Sequence, residues 1–168
     1  RTLRLWDIAS RTQLAVETLG GRGRAVAVVE KNVEADQSVD PVIEVHVAVG
    51  LSSGHVVVFV REEGTDGGDP KFVKRHNFSA RADESVSDIR FSPDGAYLAV
   101  ATADGVVVFD AEYQRKLVGE DDAARELSFE GRSGCLDFST DTRALLASGD
   151  RVFDLERGVE IKSQSVVK

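Results

Sequence analysis

Val86–Asp110 reads VSDIRFSPDGAYLAVATADGVVVFD. It divides into three short β-prone runs, Val86–Phe91 (VSDIRF), Tyr97–Ala101 (YLAVA) and Val106–Asp110 (VVVFD), separated by Ser92-Pro93-Asp94-Gly95 and by a turn at Asp104-Gly105. Turn residues at those places stop each run after a few residues, as hairpins require. Working outward, similar runs stand at Thr2–Asp7, Val42–Val49, Val56–Val60, Leu136–Phe138, Ala144–Ala147 and Arg151–Leu155. Valine supplies 25 of the 168 residues against four isoleucines, and its β-branched side chain suits a pleated surface. No stretch longer than about 12 residues keeps a 3.6-residue period. Glu120–Phe129 (EDDAARELSF) reads as a helical turn or two or as an acidic loop. The chain is expected to be all-β.

The runs also repeat. Trp6-Asp7, Phe59-Val60, Phe109-Asp110 and Phe153-Asp154 each end a strand, at intervals of 53, 50 and 44 residues. Ala48-Val49-Gly50, Ser53-Gly54 and Val56–Val60 can be laid over Ala99-Val100-Ala101, Asp104-Gly105 and Val106–Asp110. A further unit runs Leu146–Gly149 then Arg151–Asp154. Arg90–Gly95 (RFSPDG) and Leu136–Asp141 (LDFSTD) lead into two of these units through an Asp-containing turn. Each unit therefore reads as strand, turn, strand, tight hairpin, strand ending in an aromatic, and a looser fourth strand. Repetition at this period signals a repeat architecture.

With its LWD at Leu5–Asp7, RFSPDG and LDFSTD, the chain resembles the WD40-repeat β-propellers, whose blades are four-stranded sheets repeating every 40–45 residues or so. The resemblance implies an all-β, WD40-type propeller, partial, with about three and a half four-stranded blades ending near residues 7, 60, 110 and 154. The Gly-His that opens such repeats is absent, with Gly131-Arg132 in its place, and the hairpins before Phe109 and Phe153 look short. The succession VSDIRFSPDGAYLAVATADG (Val86–Gly105) and CLDFSTD (Cys135–Asp141) is similar to the echinoderm microtubule-associated-protein-like (EML) family. Neither that family's hydrophobic signature motif nor a coiled coil is present. This second resemblance implies a non-enzymatic protein-interaction platform on microtubules, in cytoplasm, cytoskeleton or the axoneme of a cilium or flagellum. Tubulin and axonemal proteins would be its partners.

Composition sets limits. Apolar side chains make up 42% and charged ones 30%, and there is no methionine, even at position 1. The chain is read as part of a longer protein that begins inside a blade, with the remaining blades as further partners. No apolar run approaches the roughly 20 residues of a membrane span, so no membrane partner is expected. The net charge of −8 argues against nucleic acid, whose binding depends on neutralised phosphates. The charge is uneven: residues 1–31 hold six basic and three acidic side chains, residues 32–168 hold 15 and 26. The single Cys135 fits a reducing compartment.

Candidate chemistry is sparse. Gly50–Gly54 (GLSSG) spells the nucleophile-elbow pattern, but that device needs a following helix, and valine strands flank it. It reads as a hairpin turn. Gly20–Arg24 (GGRGR) lacks the helix and Lys-Ser/Thr ending of a phosphate loop and reads as a connection between repeats. His46, His55 and His76 are scattered, Cys135 has no Cys partner, and Asp66 and Asp69 lack calcium-loop spacing. No metal, cofactor or catalytic residue is expected. Asp94 and Asp141 read as turn caps. Trp6, Asp7, Asp94, Gly95, Phe109, Asp110, Asp141, Phe153 and Asp154 form the structural repeat set.

One surface feature has a functional reading. Lys71, Lys74, Arg75, His76 and Arg81 cluster in an otherwise acidic region. On an outer strand they would protect an edge, since charge discourages strand pairing, or meet an acidic partner such as tubulin. Two other functions stay open: a WD40 scaffold or substrate receptor in another complex, such as a ubiquitin ligase, and a propeller enzyme with inward carboxylates or histidines.

Overall fold

A computed structural model describes residues 1–33, 42–62, 70–110, 112–115, 117–118, 125–130, 134–140 and 145–161. Among the described residues there is no helix, so none is long and apolar enough to cross a membrane. The all-β expectation holds. The strands are β1 (Thr2–Asp7), β2 (Thr12–Thr18), β3 (Gly23–Val33), β4 (Val42–Leu51), β5 (His55–Glu62), β6 (Lys71–Ser79), β7 (Asp88–Phe91) and β8 (Leu98–Ala101). They continue with β9 (Gly105–Phe109), β10 (Leu117–Val118), β11 (Arg125–Glu126), β12 (Ser128–Glu130), β13 (Leu136–Phe138), β14 (Leu145–Ser148), β15 (Arg151–Asp154) and β16 (Val159–Ile161).

Three antiparallel four-stranded sheets form, β3-β4-β5-β6, β7-β8-β9-β12 and β13-β14-β15-β16, preceded by the β1-β2 hairpin. Their first strands are neighbours: β7 lies against β3 on one side and β13 on the other, while β2 lies against β6. This layered succession is compatible with part of a propeller-like ring. Asp88 ties two layers directly, its carboxylate accepting from the Ile89 and Leu136 N–H groups, both at 2.8 Å.

The continuous valine runs follow from burial on both faces. In β4 and β5, Val47, Val49, Val57 and Phe59 pack toward β1-β2, while Ala48, Val56 and Val58 pack toward the next sheet. In β8 and β9, Leu98, Val100, Val107 and Phe109 face back into that second seam, and Ala99, Ala101, Val106 and Val108 face forward into the third. Leu136, Leu146 and Phe153 complete the third seam from the last sheet. Each seam is a small apolar core between two layers.

The outer strand of the middle sheet is assembled in two pieces. Arg115 bridges Phe109, whereas β12 pairs with Gly105–Val107, and between them β10 and β11 pair with each other. The described part of the acidic segment Glu120–Phe129 is thus extended rather than helical. Leu127 and Phe129 alternate into the third seam, and that period of two decides for strand.

Candidate functional site

The basic residues predicted on an outer strand divide on β6. A register shift opposite Val58 and Phe59 displaces Arg75, and Lys71, Lys74 and Arg75 are exposed along the sheet edge. Arg75 pairs with Glu62 across the strands. His76 turns the other way, into the seam, with its ring 4.6 Å from that of Tyr113. Arg81 lies past the strand end, half-buried. Three cations therefore share the edge, and the other two residues do not join them.

The repeated aspartates act on their own turns. Asp7 accepts from the Ser10 N–H at 2.8 Å. Asp110 accepts from the Glu112 and Gln114 N–H groups at 3.1 and 2.8 Å, and Asp154 from those of Glu156 and Arg157 at 3.0 Å each. Asp110 and Asp154 close the turn after the third strand of a four-stranded sheet, and Asp7 closes the β1–β2 turn. Asp94 caps the β7–β8 turn, accepting from the Ser92 hydroxyl at 2.7 Å and the Ala96 N–H at 3.2 Å. Asp141 lies outside the described residues, as do Asp66, Asp69, Gly131 and Arg132. Of the aromatics, Phe59, Phe109 and Phe153 are at most 2% exposed, whereas Trp6 is 55% exposed.

An acid–base cluster that the sequence does not advertise lies in the second seam. Glu44 and His46 stand two residues apart on β4, hence on one face, and Lys31 is the cross-strand neighbour of Glu44. The Tyr113 hydroxyl bonds to Nδ1 of His46, whose Nε2–H donates to Glu44 at 2.9 Å. A carboxylate only accepts, so the bond to Glu44 fixes the proton on Nε2 and leaves Nδ1 to accept from tyrosine. Lys31 is 8% exposed and sets its ammonium 4.6 Å from the Tyr113 ring centre and 5.8 Å from that of Phe91. Its stem packs against Gly95, where a Cβ would stand 2.6 Å from Lys31 Cγ. Gly95 has φ +71°, so the turn residue serves both the hairpin and the lysine.

Burial sets the electrostatics. It pushes the Lys31 pKa down, against the pull of Glu112, Glu44, Asp110 and Asp94. It lowers His46, with the Lys31 charge adding to the shift and Glu44 opposing it, and lowers His76, aided by Lys31 and Arg75. Tyr113 is raised by burial and by Glu44. The arrangement can pass a proton between Glu44, His46 and Tyr113. Tyr113 is buried, however, so the relay ends in a closed seam. Its evident work is to fasten β3 and β4 to the turns after β7 and β9.

Two cavities among the described residues lie elsewhere. One of about 540 Å³ is lined by Arg90, Cys135, Leu136, Asp137, Ala147 and Gly149; the other, about 280 Å³, lies beside β1 and β3 and includes Leu3, Leu19, Arg24 and Val26. Ser52 and Ser53 sit in the β4–β5 hairpin, with the Ser52 N–H bonded to the Arg22 carbonyl at 2.9 Å. Among the described residues no group of three or more His, Cys, Asp or Glu side chains is placed to hold a metal ion. Compared with models of known protein families, the chain matches none.

Proposed function

We propose that the chain is part of a WD40-type β-propeller, about three and a half blades, that serves as a non-enzymatic interaction platform on microtubules or axonemes. The observation that carries the reading is the stack itself. Sheets with four strands each stand in succession, their first strands β3, β7 and β13 set side by side, and the outer strand β6 exposes Lys71, Lys74 and Arg75. Further blades would cover its two end faces. Recognition then falls to exposed edges and turns held by that scaffold. The strip of Lys71, Lys74 and Arg75 on β6 suits an acidic surface, and the resemblance of Val86–Gly105 and Cys135–Asp141 to microtubule-associated propellers makes tubulin the expected one. Reversing Lys71, Lys74 and Arg75 to Glu should weaken co-sedimentation with microtubules by about tenfold or more, as loss of several surface cations from a charge-steered contact implies. Unchanged pelleting would overturn the proposal.

A further inference from the structure

Tyr113 enters the second seam in a conformation that a bulky side chain seldom takes. Its φ is +62°, in the left-handed region, yet the residue is only 5% exposed. Two backbone bonds hold the turn. The Tyr113 N–H donates to the Asp110 carbonyl at 3.0 Å, and the Asp110 N–H donates to that of Gln114 at 2.8 Å. Strain of this kind lasts only where surrounding contacts outweigh it. Here they come from the preceding sheet: the His76 ring at 4.6 Å, the His46 ring at 5.9 Å, the Phe78 ring at 6.0 Å and the hydroxyl bond to His46 Nδ1.

Those contacts need both imidazoles neutral. Nδ1 of His46 accepts from the Tyr113 hydroxyl while Nε2–H donates to Glu44, so a proton added at Nδ1 removes the tyrosine's acceptor. No other acceptor among the described residues is bonded to that hydroxyl. A proton on His76 sets a second cation against a ring that already holds the Lys31 ammonium at 4.6 Å. Every neighbouring element contributes charge. Burial comes first and opposes protonation of both rings; Lys31 on β3 adds to it for both, His76 for His46, and Arg75 on β6 for His76. Glu44 on β4 favours the proton on His46 and is outweighed. Asp94 in the β7–β8 turn, with Asp110 and Glu112 in the Tyr113 turn, supports the charge on Lys31.

We propose that the Tyr113 turn is a latch that acid releases, freeing the tyrosine from the seam while the sheets on either side stay folded. Released histidines titrate near their ordinary value of about 6.5, above their values in the closed seam, so the open form binds protons first as pH falls. The latch is closed above about pH 6.5 and gives way below it. Opening relaxes the left-handed backbone and carries Glu112 away from Lys31, so the buried ammonium is uncovered. The inference rests on the geometry of the seam and not on the microtubule reading, so co-sedimentation results leave it standing.

Amide hydrogen exchange, corrected for the intrinsic effect of pH, tests it. Between about pH 7.5 and pH 5.5, protection of the Tyr113 and Gln114 amides should fall about tenfold or more, while that of Val100 and Val107 in β8 and β9 changes less than about twofold. His46→Gln with His76→Gln removes both titrating rings and should leave the turn equally protected across that range. Tyr113→Phe keeps the ring but loses the bond to His46, so its turn should exchange several-fold faster already at the higher pH. A wild-type turn that stays protected in acid, or loses protection only together with Val100 and Val107, overturns the proposal. So does a double variant whose turn still opens with acid, or a Tyr113→Phe turn as protected as that of wild type.

Discussion

Lys31, His46, His76 and Tyr113 meet in one seam although they come from four separated places in the chain. Each is costly to bury, and each is held by a neighbour that offsets part of that cost: Glu44 for His46, the Tyr113 and Phe91 rings for Lys31. The two imidazoles have folded pKa values below their ordinary one, which is about 6.5. The unfolded chain consequently binds protons first as pH falls. Their neutral state supports the fold fully above about pH 6.5, and that support is lost below it. Urea midpoints should fall between about pH 7 and pH 5, and His46→Gln with His76→Gln should flatten the slope. An unchanged slope in the double variant would show that the histidines do not carry the dependence. Half of this cluster was legible: the alternation VIEVHVAV puts Glu44 and His46 on one face. The other half depends on which sheet packs on which, and no local pattern in the chain encodes the approach of Tyr113 to His46.

The strands differ in how openly the sequence declares them. β5 and β9 are buried on both faces, so unbroken valine marks them. β3 escapes because Arg24, Glu30 and Lys31 interrupt its apolar residues, and β12 because it follows a run of acidic ones. At the two ends of the stack β2 packs one face only and β16 neither, and neither strand shows an apolar run. Third-strand aromatics allow a direct test of what a covering layer contributes. Phe153 is stacked on Phe129 and enclosed, so Phe153→Ala should cost about 3–5 kcal/mol in unfolding free energy. Trp6 has the same place in its unit with no layer over it, and Trp6→Ala should change stability by no more than about 1 kcal/mol in dilute solution. Urea unfolding of both variants measures the contrast, and equal losses would mean that Trp6 is covered.

As a whole the molecule is a stack of β-layers whose second and third seams are closed, whereas the first is only partly covered. Val26, Val28 and Ile43 are exposed on the face of β3 and β4 that the two-stranded β1-β2 hairpin leaves bare, since β2 lies over β6 at the opposite edge. The far sheet bares Val152, Val159 and Ile161. Apolar faces of this kind mark surfaces built to be covered, which is why a propeller-like ring with further layers is the reading that explains them together. The central claim is therefore the open first face, and its single tryptophan reports on it. In dilute monomeric chain, iodide should quench Trp6 readily, while a tryptophan moved to the third seam (Trp6→Phe with Phe153→Trp) should resist quenching. A shielded Trp6 in the monomer would contradict the open-ended stack.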